Sequence, residues 1–147
     1  MPRARKILAI VYTVVAVVAL VACWLQNIRF MQGAGIDLAQ GFIDFWPALL
    51  ANHATASITV DIFLFAFAAM IWMVQEARRL GIRMVWLYVL CGFSVAISVT
   101  FPLFLAARER ALASRGEEPQ GWATGDLVGL GILGLGNIGF ALWTLGY

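Results

Sequence analysis

The sequence predicts an all-α membrane protein, a bundle of four transmembrane helices with a short interfacial helix in the first outer loop. Three observations carry that expectation. Of 147 residues, 63% are hydrophobic and only 12% are charged, and mean hydropathy is +0.89, a surface no soluble domain of this size tolerates. Four stretches nearly free of charge reach the roughly 20 residues needed to cross a hydrocarbon core. Little chain remains between them. The net charge of +2 is small and its basic residues flank the apolar stretches, which argues for topology signals and against a nucleic-acid surface.

Span one, from Ile7 to Leu25, is rich in Val and Ala, and in lipid such a segment must satisfy its own backbone as a helix. Arg3, Arg5 and Lys6 before it, and Leu20-Val21-Ala22-Cys23 within it, also suit a cleaved, lipidated signal. Its length exceeds the apolar region of about 7 to 15 residues in such signals, so retention as an anchor is expected. The stretch that follows is broken by Gly33, Gly35, Gly41 and Pro47, yet Phe42, Phe45, Trp46, Leu49 and Leu50 share one helical face. That pattern predicts the interfacial helix over about 39–51.

Span two is expected over 54–75, span three over 84–107 and span four over 127–147. Pro102 lacks an amide donor, which predicts a kink near the outer end of span three. Counting Lys and Arg at the span ends puts Arg3, Arg5, Lys6, Arg78, Arg79 and Arg83 on one side and Arg29, Arg108, Arg110 and Arg115 on the other. The positive-inside rule then makes the first side cytoplasmic. This gives a multi-pass protein of the cell's inner membrane with both termini in the cytoplasm.

Asp61 is the acid within a span, costing on the order of 2.5 to 3.5 kcal/mol on insertion scales unless paired, protonated or wetted. With span three crossing outward, Arg108 and Arg110 become its candidate partners. Either a structural ion pair or a ligand-binding or proton-relay acid fits. On a helical wheel Asp61, Phe65, Ala68, Trp72, Gln75 and Arg79 form one stripe, expected to face the bundle, with Glu76 at its edge. Asp61 and Glu76 stand about 22 Å apart along that helix, too far for a carboxylate pair in catalysis. Glu76 and Arg79 read as a local i, i+3 pair.

Span four holds Gly129-x-Gly131-x-x-Gly134 and, overlapping it, Gly134-x-Gly136-x-x-Gly139. Both match the dinucleotide fingerprint in letters, but no strand precedes them and they lie inside an apolar span. Gly125, Gly129 and Gly136 share one face and Gly131 and Gly134 roughly the opposite one. Helix packing on two sides, within the bundle or between copies, is the expectation. Asn137, between the faces, is expected to bond a neighbouring helix, for instance at Ser94 or Ser98. The single histidine, His53, cannot build a bis-histidine haem or a histidine-based zinc site, and Cys23 and Cys91 both fall inside spans. No metal and no cofactor are expected.

The strings Asp61-Ile62-Phe63, Glu76-Ala77-Arg78-Arg79-Leu80-Gly81-Ile82-Arg83 and Pro102-Leu103-Phe104-Leu105 followed by Arg108-Glu109 resemble the DUF2834 family of small membrane proteins. The resemblance covers about Asn52 to Leu112, with span one more loosely similar. Some relatives carry a terpene-cyclase-like label, which implies acid-catalysed chemistry on an isoprenoid lipid with Asp61 as proton donor. From the residues themselves no nucleophile, metal set or phosphate loop emerges. The leading expectation is therefore a bundle that binds membrane lipid, a hydrophobic ligand or a partner subunit, or forms a homo-oligomer. An isoprenoid-directed enzyme using Asp61 with Arg108 or Arg110, and a small proton-coupled carrier, are the alternatives.

Overall fold

The computed structural model describes residues 1–119 and 121–146. Every regular element among them is helical, and four helical stretches, Arg3–Ala34, His53–Leu80, Val85–Ser114 and Thr124–Leu145, are long and apolar enough to cross a membrane. The chain is thus an all-α protein of membrane character. Span four was expected to run to Tyr147, which lies outside the described residues.

Helix α1 (Arg3–Ala34) ends where Gly35 takes a left-handed conformation, φ 66°, and returns its amide to the last turn, the usual glycine stop. Helix α2 (Leu38–Ala48) is the short helix expected from the aromatic pattern, and the Asp37 carboxylate caps it by accepting from the Gln40 amide at 2.9 Å. Phe45 meets Phe30 of α1 edge to face, and Trp46 meets Phe63 in the next helix. Helix α2 therefore bridges two long helices. That next helix, α3 (His53–Leu80), starts with a reciprocal cap between Asn52 and Thr55 and stops at Gly81, φ 69°.

The stretch expected as span three departs from a straight crossing. Helix α4 (Val85–Cys91) continues into a π-helical turn at Gly92–Ala96, Ala96 is fully extended (φ 179°, ψ 141°), and α5 (Ile97–Ser114) begins immediately after it. Contacts across the break show that the chain doubles back. Tyr88 lies against Phe104 with ring centroids 5.7 Å apart, and Val85 shares a core cluster with Phe104. Helix α4 with its π turn spans about 18 Å at 1.5 Å per residue, roughly half of a hydrocarbon core of about 30 Å. The sharp change of direction thus falls at Ala96 rather than at the kink expected from Pro102.

Gly92 makes the fold-back compact. A Cβ there would sit 3.0 Å from Met70 Cε and 3.2 Å from Thr100 Oγ, so α3, α4 and α5 approach closely at this position. Ala66, Ala69 and Ala77 of α3 and Ala106 of α5 are buried, and small side chains let helices approach closely in lipid. Met73 and Phe104, both at 0% exposure, fill the centre. The inward face of α3 is consequently Ala66, Ala69, Met70, Met73, Glu76, Ala77 and Leu80. The expected stripe is corrected: Asp61, Phe65, Gln75 and Arg79 are exposed, and Glu76, placed at the stripe's edge, is the buried member.

Helix α5 lies along α1, with Arg5 paired to Glu109 near one end and Cys23 Sγ 3.8 Å from Ser98 Oγ near the other. Helix α6 (Thr124–Leu145) starts beside Arg5, which reaches the carbonyls of Glu117 and Glu118 just before it. It finishes beside Gln26 and Arg29, which donate to the carbonyls of Thr144 and Leu145. Helices α1 and α6 therefore run parallel, and the start of α1 and the end of α6 lie at opposite ends of the bundle.

Candidate functional site

At the end of the bundle where α1 begins, five charged side chains from three helices form one connected network. Glu109 of α5 accepts from Arg5 Nη1 at 2.8 Å through one oxygen and from Arg108 Nη1 at 3.0 Å through the other. Arg108 Nε donates to Glu76 of α3 at 2.7 Å, and Arg79 holds Glu76 with two bonds of 2.7 Å. Glu109 is 3% exposed and Arg5 6%. Arg108 also lies over the Trp72 ring at 5.7 Å, a cation–π contact in the range of about 0.5 to 2 kcal/mol. Arg115 donates to the Arg79 carbonyl, tying the end of α5 to the end of α3.

The network's chemistry follows from its valences. Both oxygens of each glutamate accept from guanidinium groups, so each carboxylate is held by charge-assisted bonds at both ends. A charge-assisted, multidentate arrangement of this kind holds helices in register, and here it locks α1, α3 and α5 at one end. Beside it lies a cavity of about 460 Å³ whose wall includes Arg5, Tyr12, Arg108, Glu109, Trp122 and Asp126.

The residues singled out in the sequence distribute differently from expectation. Glu76 and Arg79 do pair, but the pair is one link of the larger network and not an isolated surface contact. Arg108 belongs to that network, at the opposite end of α3 from Asp61. Arg110 follows it there and is exposed, with no ion pair among the described residues. The Asp61 pairing with Arg108 or Arg110 is thus corrected: the fold-back at Ala96 carries both arginines away from it. Asp61 is exposed, with no hydrogen bond or ion pair among the described residues.

Asn137 donates to the Leu133 carbonyl of its own helix at 2.8 Å, not to Ser94 or Ser98. Gly125, Gly129, Gly131, Gly134 and Gly136 have open space at their Cβ positions, so packing of these faces within the chain is corrected as well. Two residues that no local sequence pattern assigns to a site are central: Arg5 of α1 and Glu109 of α5. The signal that marks them is an acid flanked by arginines where a long apolar run ends.

The fold and site define an all-α membrane protein in which a helical fold-back is anchored by an ionic network at one end. Residues 11–110 match the family model described as "Protein of unknown function DUF2834", and the chain belongs to that family. The matched region contains α2, α3, α4, the fold-back, Glu76, Arg108 and Glu109, and leaves out Arg5 and α6. No curated protein matches the chain, and no solved structure does.

Proposed function

We propose that this protein is a non-catalytic membrane subunit of the inner membrane that assembles with a second copy of itself through α6. The observation that carries the reading is the state of that helix. No residue of Thr124–Leu145 is buried, and a Cβ on Gly125, Gly129, Gly131, Gly134, Gly136 or Gly139 would meet nothing within 4 Å. Glycine in a helix interior costs about 1 kcal/mol relative to alanine, and nothing inside the chain offsets that cost here. Close approach of another helix would offset it, as small-residue faces do in membranes.

Charge supports a definite orientation. Once α5 doubles back, Arg3, Arg5, Lys6, Arg78, Arg79, Arg83, Arg108, Arg110 and Arg115 share one end, and Arg29 alone of the ten Lys and Arg residues is at the other. The positive-inside rule places the nine in the cytoplasm. The amino terminus is then cytoplasmic, the carboxyl terminus lies outside, and α2 rests on the outer interface.

A Leu133→Cys variant in a background lacking Cys23 and Cys91, cross-linked in native membranes, tests the assembly. An adduct of twice the chain mass, abolished by Gly129→Leu with Gly136→Leu, is the expected result. An adduct of another mass would replace the second copy with a different subunit, and no adduct would overturn the reading. The lipid-enzyme alternative is weakened because Asp61 stands without Arg108 or Arg110. The carrier alternative has one observation in its favour, the helix break at Ala96, since carriers use discontinuous helices at mid-membrane depth. Proton uptake by proteoliposomes that disappears in Asp61→Asn would establish it.

A further inference from the structure

Helix α3 gives one face to the core and leaves the opposite one bare. Ser57, Asp61, Leu64, Ala68, Ile71 and Gln75 follow one another at alternating steps of four and three residues, and all six are exposed. At roughly 100° per residue they fall within an arc of about 80°, on the far side of the helix from its buried residues, Ala66 to Leu80. Alternating steps of four and three form the seam along which two helices pack side by side over several turns. Helices α4 and α5 do not cover this seam, because they pack on the buried face at Met70, Met73 and Glu76. Helix α2 meets α3 elsewhere, at Phe63.

Polar side chains set this seam apart from a surface that only meets lipid. From Ser57 to Gln75 the polar residues of α3 are Ser57, Thr59, Asp61 and Gln75. Thr59 donates its hydroxyl to the Thr55 and Leu49 carbonyls. The other three make no hydrogen bond or ion pair among the described residues, and all three are on the seam. A carboxylate at the depth of Asp61, about 22 Å outward from Glu76, is kept in a span where a counter-charge reaches it. That cation has to come from outside the chain. Arg5 and Glu76 mark one level, joined through Glu109 and Arg108. Of the ten Lys and Arg residues, nine are at that end. Arg29 is about 36 Å from Arg5 along α1, about 14 Å farther out than Asp61, and is engaged with the Thr144 and Leu145 carbonyls. A second copy inserted in the same direction brings no cation to Asp61, and two such seams facing across a two-fold axis would set Asp61 against Asp61.

We propose that this seam docks a transmembrane helix of a different membrane protein, one that carries a lysine or arginine at the depth of Asp61. Leu64 and Ile71, exposed in the chain alone, supply apolar contact, and Ala68 between them lets the two backbones approach closely. Asp61 supplies the choice of partner, because its carboxylate favours a helix bearing a cation and penalises one bearing an acid. Ser57 and Gln75 stand near the two ends of the seam, where they offer hydrogen bonds to the same partner. The seam is on α3 and does not depend on the α6 contact. The chain would then join a copy of itself through one helix and an unlike subunit through another.

The test uses the full-length protein in liposomes, with a donor fluorophore at Arg83→Cys in a background lacking Cys23 and Cys91. The probe is an acceptor-labelled single-span peptide of leucine and alanine with one lysine at the depth of Asp61. One control peptide has leucine in place of the lysine, and another has the lysine moved about two turns toward the Gln75 end. Energy transfer is expected to show the matched peptide binding about tenfold tighter than either control, the size of one good polar contact between transmembrane helices. Asp61→Leu is expected to bring the three peptides to parity, and Asp61→Lys is expected to transfer the preference to a peptide with aspartate at the matched depth. Ala68→Leu, which leaves every charge in place, is expected to weaken all three peptides and serves if the Asp61 variants do not fold. Parity in wild type, indifference to the depth of the lysine, or a preference that survives Asp61→Leu would overturn the proposal. Energy transfer between copies of the protein that is lost in Asp61→Leu would give the seam to a second copy and overturn it as well. Gly129→Leu with Gly136→Leu leaves α3 untouched, so an unchanged peptide preference in that variant separates this interface from the α6 assembly.

Discussion

Tyr88 and Phe104 meet edge to face with ring centroids 5.7 Å apart, although an unbroken helix would hold them about 24 Å apart. Their contact makes α4 and α5 antiparallel neighbours and returns the chain to the end at which it entered. Cysteine accessibility reads this directly. In a background without native cysteines, Arg83→Cys and Gly116→Cys are expected to be labelled from the same side of the membrane, and a carboxyl-terminal tag from the other. Labelling of positions 83 and 116 from opposite sides would show that the stretch crosses.

Gly92 is the tightest point of the fold-back. Adding a methyl group there places it against Met70 Cε and Thr100 Oγ, and overpacking a close-packed interior costs about 1–3 kcal/mol. Gly92→Val is therefore expected to lower the thermal unfolding temperature in mild detergent more than Gly92→Ala does. Gly131→Ala, where the space is open, serves as the neutral control, and equal effects at the two positions would contradict the packing described.

The two glutamates of the network have different leverage. Glu109→Gln leaves Arg5 as a buried charge short of its counter-charge, a loss of about 3–5 kcal/mol for a broken buried pair, while the half-buried Arg108 keeps Glu76. Arg79, whose side chain is 51% exposed, contributes at the surface-pair level, so Arg79→Gln is expected to lower stability far less than Glu109→Gln does. Denaturant unfolding of both variants checks the order. Comparable losses would contradict the difference in burial between the two pairs.

Asp61 makes no contact that folding depends on. Asp61→Leu is expected to leave the unfolding temperature of the purified protein unchanged while raising insertion efficiency, since an aspartate at depth costs on the order of 2.5–3.5 kcal/mol on insertion scales. A glycosylation-based insertion assay of the α3 segment measures the gain. A large loss of stability would reveal a structural partner for Asp61.

Several parts of this arrangement were legible before any coordinates. The interfacial helix followed from the spacing of Phe42, Phe45, Trp46, Leu49 and Leu50, and the structure forms α2 over Leu38–Ala48. The Glu76–Arg79 pair followed from i, i+3 geometry, because both partners lie on one helix. What the spacing of residues on one helix cannot show is a partner from another. Arg5 and Glu109 are 104 positions apart, and no local period connects them. Asp61 was assigned the wrong partners for the same reason, since its candidates depended on the direction of α5.

The sequence by itself determined that the chain is helical and lives in lipid. Apolar stretches without water to satisfy their backbones must form internal hydrogen bonds, and Asp37, Asn52, Gly35 and Gly81 mark where those helices start and stop. Only the tertiary structure decided which way α5 runs. Hydropathy counts apolar residues and is blind to direction, so a largely apolar helical stretch of 30 residues from Val85 to Ser114 reads equally well as one crossing or as two helices folded on each other. The choice was made by the close approach at Gly92 and by the charges of Arg108 and Glu109, which reach Glu76 and Arg5 only when the chain turns back at Ala96.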